Sequence, residues 1–303
     1  MPDASTRFVP ALPTNVELTA STLIRGAYDP CVRVRNGVLW RACMTPHGPA
    51  TASYRHDGEH IAVEAWGAGA EWVLAHAPEL LGSRDSLEGF EPTGKLKDIH
   101  RRHAGLRVPR TRNVYEALLR AVIEQRVQGQ EAARSHQQIV RRYGVPAPGP
   151  EGLFVPPLPE VLGRIPTYDM VPLGIERKRA ASLHNLALRA KFVDSVVDLP
   201  NPEASQKLQL LDGVGPWTAA EVALTALGDA DAVPVGDANW KNVVSYAFTG
   251  EPRGDDTRML ELLAPYAGHR GRVLLLIAAA GITAPRLAPR RALGHPGMSR
   301  RQR

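Results

Sequence analysis

The sequence predicts an α+β fold in two parts, an N-terminal antiparallel β-sheet domain with a packed helix and then an all-α domain. Three observations carry this. From Asn15 to about Trp66 the residues alternate and are rich in β-branched and aromatic types. After Pro109 the apolar spacing lengthens to that of helices, and no strand pattern returns after residue 110. A length of 303 residues suits two packed units. The boundaries read as residues 1–105 for the sheet domain, 106–284 for the helical domain and 285–303 for a basic tail expected to be disordered.

The strands are expected in ELTASTLIRG, CVRVRNGVLWRACM, ATASYRHD and HIAVEAW, punctuated by Asp-Pro, Pro-His-Gly-Pro and a hairpin turn at Asp57-Gly58. Ala70–Leu81 reads as the helix packed on them, and Gly82–Gly94 as a polar connection. One helical face is then marked by Tyr115, Leu118, Leu119, Val122 and Ile123. The next is marked by Ala133, Ile139, Val140 and Tyr143, and Gly144 ends it. Further helices are expected near 158–164, 176–191, 203–211, 216–227, 238–249, 256–267 and 270–280.

Bulk properties narrow the function. The formal charge of +6 and pI near 9.5 favour a polyanionic partner. Two cysteines, Cys31 and Cys43, are too few for a four-cysteine zinc site or an iron–sulfur cubane, and no metal ligand set is read. The longest apolar run, Val273–Ala280, is too short to span a bilayer, and MPDASTRFVPALP lacks the order of a signal peptide. A cytoplasmic, nucleoid-associated protein without a membrane partner is the expectation. The tail carries Arg286, Arg290, Arg291, Arg300, Arg301 and Arg303 with no acid, a composition that suits non-specific attraction to DNA.

The most informative segment is LQLLDGVGPWTAA, Leu208–Ala220. One helix ends at a turn with Gly213 and Gly215, and the next starts at Pro216, a favoured first helical residue. Glycines there allow positive φ and uncover N–H groups at the positive end of the second helix, a geometry that holds phosphate without reading sequence. By itself the pattern also fits an ordinary glycine-capped helix–helix turn.

With its surroundings, LLDGVGPWTA resembles the hairpin of the helix–hairpin–helix DNA glycosylase superfamily, in the AlkA-like (3-methyladenine DNA glycosylase II) branch. AVPVGDANWK stands one helix downstream, where that family has a Gly/Pro-rich loop and an essential Asp, here Asp237. LRVPRTRNVYEALLRAVIEQRVQGQEAARSHQQIVRRYG is similar to the family's first core helices, with their Gln at Gln125, and LGIERKRAASLHNLALRA to the segment before the hairpin. The resemblance covers roughly residues 106–281, and the preceding sheet suits the same branch.

The resemblance implies an enzyme of base excision repair that flips a damaged base from double-stranded DNA and hydrolyses its N-glycosidic bond. Alkylated purines are its expected targets. Asp237 is then the catalytic carboxylate, stabilising oxocarbenium charge on the sugar, although position alone favours a cap for the helix starting near Ala238. Bifunctional relatives carry a Schiff-base Lys two residues after the last hairpin Gly; here Trp217 stands there, which implies a monofunctional enzyme that leaves an abasic site. Trp217, Glu221 and Ala278 map to the base pocket, Glu221 replacing a Tyr and Ala278 a Trp. An electron-rich Trp217 would attract a cationic base, and a pocket thinned at the other two positions would be roomier. Gly213, Val214, Gly215, Thr218, Gln125, Arg126 and Lys241 map to the DNA side, with Arg126 where an inserting wedge is expected. The resemblance further implies a monomer, no required cofactor and a monovalent cation at the hairpin carbonyls. A glycosylase for deaminated or oxidised bases and a catalytically silent damage-binding protein stay open as alternatives.

Overall fold

The structure is a computed structural model that describes residues 1–285; the tail arginines expected to contact DNA lie outside the described residues. Strand β1 (Ala4–Phe8) precedes helix α1 (Val16–Ser21). Strands β2 (Val32–Arg35), β3 (Val38–Thr45), β4 (Gly48–Asp57) and β5 (His60–Trp66) follow, then helix α2 (Ala70–Leu80). The five strands form one antiparallel sheet in the order β1-β5-β4-β3-β2. Two tight turns set its register. Asn36-Gly37, both at positive φ, joins β2 to β3, and Gly58-Glu59 joins the paired Asp57 and His60 as the Asp-Gly signal predicts.

The sheet half corrects two expectations. ELTASTLIRG, read as a strand, is helix α1 in its first half and turn beyond it. Asn15 caps it by accepting from Leu18 N at 2.8 Å, and Val16, Thr19, Ala20 and Leu23 are buried at helical spacing. Strand β1, unread in the sequence, lies on the sheet edge against β5, its short alternating text ending at Pro10.

Beyond the polar connection come α3 (Gly94–Arg102), α4 (Val114–Glu124), α5 (Gly129–Tyr143), α6 (Pro159–Leu162), α7 (Thr167–Met170), α8 (Arg177–Leu188) and α9 (Ala190–Asp194). Then follow α10 (Asn201–Leu208), α11 (Pro216–Val222), α12 (Trp240–Thr249), α13 (Asp256–Leu263) and α14 (Arg270–Ala279). Helix α3 escaped the periodicity because only Leu96 and Ile99 are buried among its charges. Strand pairing does return after residue 110, against expectation: β6 (Val145–Pro146) meets β7 (Phe154–Val155), a pairing too short to leave an alternating pattern.

One apolar core runs from Val16 and Leu39 in the sheet half through Leu118 and Ile139 to Leu183 and Leu274. Polar anchors cross the same join. The Asp85 side chain, 1% exposed, accepts from Val108 N at 3.2 Å and from Arg272 Nη1 at 2.9 Å. Helix α11 continues as a π-helical turn over Ala223–Leu227, and two of the carbonyls left open at its end take up the connecting segment. Thr225 O accepts from Thr111 N at 3.1 Å, and Ala226 O from Arg112 N at 3.0 Å. Among the described residues no helix is long and apolar enough to cross a membrane.

Candidate active site

The loop before α12 is built to present one carboxylate. Pro234-Val235-Gly236-Asp237 closes as a turn, with Asp237 N donating to Pro234 O at 3.2 Å and Gly236 at φ +89°. Asp256 accepts from Gly236 N at 3.1 Å and pairs with Lys241 Nζ at 3.8 Å, so Lys241 is spent partly inside the protein. Asp237 Oδ1 then accepts from Asn239 N at 2.7 Å and Trp240 N at 2.9 Å, so it closes the turn into α12 much as a capping aspartate would, two residues ahead of that helix's N-cap, Asn239. Its other oxygen does something a cap does not need. Trp217 donates its indole N–H to Asp237 Oδ2 at 2.9 Å, fixing the carboxylate beside the half-buried ring.

The hairpin between α10 and α11 lies on the same side. Gly213 has φ +85°, and an added Cβ would collide with Ser182 Oγ. Gly215 has φ −101° with open space where a Cβ would go, so the expectation of positive φ holds for Gly213 alone. The N–H groups of Gly213 and Gly215 donate to no acceptor among the described residues, while Val214 N donates to Leu211 O at 3.0 Å and the Val214 side chain is buried.

The end of α4 sends three successive residues in three directions. Gln125 donates from Nε2 to Gly213 O at 2.8 Å and to Thr218 Oγ1 at 2.9 Å. Gln125 and buried Thr218, expected on the DNA side, are thus spent on each other and on shaping the hairpin. Arg126 is exposed at φ +57°, a left-handed conformation that costs a non-glycine residue about 1–2 kcal/mol. Glu124 turns inward. Its partner is Arg25, from the connection between α1 and β2, whose Nε lies 3.3 Å from Glu124 Oε1 and Nη2 3.8 Å from Glu221 Oε2. Buried Arg179, from the Gly-Ile-Glu-Arg-Lys-Arg segment, holds the α4 terminus by donating to Ile123 O at 2.6 Å.

Glu221 therefore does point inward, one helical turn beyond Trp217. Burial pushes its carboxyl up to about 7, with Arg25 opposing and Glu124 and Asp237 adding to the rise. Ala278, mapped to the base pocket from the sequence, is exposed on the last turn of α14. No local pattern marks Arg25 or Glu124 as site residues. Arg25 sits in a turn-rich stretch of the sheet half, and Glu124 looks like any charged residue at a helix end, directly before Gln125.

No family model matches the chain. A Mycobacterium tuberculosis protein named "Probable bifunctional transcriptional activator/DNA repair enzyme AlkA" is 33% identical over 154 residues, 50% of this chain. The match spans 31% of that protein, so the chain covers less than a third of its length. The 3-methyladenine DNA glycosylase of Archaeoglobus fulgidus superimposes with a TM-score of 0.77 at 22% identity, over 91% of this chain and 97% of that one. The fold is that of the helix–hairpin–helix DNA glycosylases. An 8-oxoguanine glycosylase/lyase of Clostridium acetobutylicum shares this glycosylase fold, with a TM-score of 0.69 at 15% identity over 91% of this chain and 95% of that one. The fold accordingly spans glycosylases with and without lyase in their names, and the side chains at the site have to decide the chemistry.

Proposed function

We propose that the chain is a monofunctional DNA glycosylase that removes alkylated purines from double-stranded DNA by hydrolysis, acting as a monomer and leaving an abasic site. The observation that carries this is the bond from Trp217 Nε1 to Asp237 Oδ2 beside a phosphate-binding type of hairpin. Damaged-base chemistry needs an anion next to the sugar and an aromatic face for the base, and this bond joins the two.

In the proposed reaction the hairpin amides hold a backbone phosphate and Arg126 fills the gap left by the flipped nucleotide. The base lies over Trp217. As the C–N bond lengthens, positive charge grows on the sugar and Asp237 stabilises it, and the free lone pair of Oδ2 orients the attacking water. Trp217 has no amine, so the sugar is not captured as a Schiff base. The Leu211 and Gly213 carbonyls accept from Val214 N and Gln125, one bond each, which leaves lone pairs suited to a monovalent cation. Such a cation would add positive charge facing the phosphate. Structural neighbours, among them a Schizosaccharomyces pombe 3-methyladenine DNA glycosylase, have been solved with DNA, which supports DNA as the partner.

The test is incubation of the protein with methylated duplex DNA, followed by assay for free base and by borohydride treatment. Released methylpurine with no trapped protein–DNA adduct is expected. No released base would refute the glycosylase reading, and a strong trapped band would refute the monofunctional one.

A further inference from the structure

Arg25 from the sheet half meets Glu124 and Glu221 from the helical half. Arg25 is built in rather than loosely placed. Its Nη1 donates to Thr22 O at 2.7 Å, its backbone N donates to Asp29 Oδ2 at 3.1 Å, and buried Asp29 also accepts from Cys31 N and Val32 N. The guanidinium is thereby held between Glu124 and Glu221, and the two carboxylates outnumber it. Glu221 is only 15% exposed, and its carboxylate takes no hydrogen bond from any described residue; its one ion pair, to Arg25, is long at 3.8 Å. A buried acceptor in that condition has a strong appetite for a donor.

A base stacked on Trp217 would meet Glu221, because residues four apart share one face of a helix. A carboxylate there rewards positive charge and N–H groups, and repels a carbonyl oxygen at the same place. We propose that Glu221 is a specificity-determining residue that accepts a hydrogen bond from the exocyclic amino group of a cationic alkylated base, and that Arg25 positions it. The substrate class is an alkylated base with an amino group at that edge, as in 3-methyladenine, over one with an oxo group there, as in 7-methylguanine. This inference rests on the glycosylase reading above.

The charged and titratable groups that face Glu221 are Arg25 from the α1–β2 connection, Glu124 and Arg120 from α4 and Asp237 from the loop before α12. Discrimination by an ionised Glu221 should therefore strengthen as pH rises through neutrality.

DNA treated with dimethyl sulfate carries both lesions, so a single incubation reads the ratio of 3-methyladenine to 7-methylguanine released. Glu221→Gln replaces an acceptor by an amide that can also donate to an oxo group, and should lower the ratio about tenfold. Arg25→Ala should lower it and move the pH midpoint of the ratio upward, with Arg25→Lys restoring both in part. A ratio in Glu221→Gln equal to that of the wild type would overturn the proposal while the glycosylase reading stood. An Arg25→Ala variant with unchanged midpoint would overturn the positioning role. Release of neither base by the wild type would remove the glycosylase reading itself.

Discussion

The indole of Trp217 and the carboxylate of Asp237 lie 20 residues apart in the chain and 2.9 Å apart in space. Together with the bonds from Asn239 N and Trp240 N, this gives Asp237 three N–H donors. An aspartate matches that set because both of its oxygens accept. Asparagine has a single oxygen, which the two backbone donors occupy, so its amide N–H would face the indole N–H. Asp237→Asn should thus lose on the order of 1 kcal/mol of stability. It should also lose base release by on the order of a hundredfold or more, while affinity for DNA is kept. Adding Trp217→Phe removes the clash of donors, so the double variant should melt above the sum of the two single losses. Additive melting losses would mean that the 2.9 Å bond is not formed in solution.

The two hairpin glycines should behave differently. Gly213→Ala forces a side chain into φ +85° and against Ser182, so a stability loss of roughly 1–2 kcal/mol is expected along with weakened DNA binding. Gly215→Ala enters open space and should melt like the wild type, lowering only affinity for DNA. Salt titrations of binding check this; unaltered affinity in both variants would locate the phosphate contact elsewhere.

Arg126→Ala should slow excision from a paired duplex far more than from a mismatched site, where opening the base costs little. It should also relieve backbone strain only slightly, since alanine dislikes φ +57° as well. Equal losses on both substrates would mark Arg126 as a phosphate contact instead of a wedge.

Glu221 makes a prediction about folding that is independent of any substrate. Its proton affinity rises from the ordinary 4.5 to about 7, so the folded chain holds this proton more tightly than the unfolded chain does. Its carboxyl is therefore tolerated best below 4.5, and stability is lost as pH climbs from there to about 7. Glu221→Gln should match the wild type near pH 4.5 and exceed it at pH 8 by on the order of 1–3 kcal/mol. Thermal melts at the two pH values suffice. An equal difference at both would show that burial does not perturb this carboxyl.

Local order made part of the site legible. Trp217, Glu221 and Asp237 follow the hairpin at fixed spacings, and Pro-Val-Gly-Asp announces its turn in its own residue types. What stayed hidden depends on contacts between distant segments. Gln125 meets Thr218 across 93 residues, and nothing local to either reveals that both turn inward. Arg25 reaches Glu221 from the other half of the chain. In the fold, α1 was obscured because Thr19 and the Thr-Leu-Ile that follows the helix favour strands, whereas burial of Val16, Thr19 and Ala20 selects the helix. Helix α3 was obscured by charge.

The bond from Gln125 to Gly213 has a geometric consequence. It ties the residue beside the proposed wedge to the turn beside the proposed phosphate grip, with a single 2.8 Å link between them. Under the proposed roles, that link would hold the two grips on the strand at one spacing, a gauge along the DNA backbone. On the glycosylase reading, such a gauge finds a lesion by its distance from a held phosphate. An extra unpaired nucleotide between that phosphate and the damaged base would shift the lesion off the mark, however well the base itself fits. Gln125→Ala would loosen the gauge and let the shifted lesion be cut.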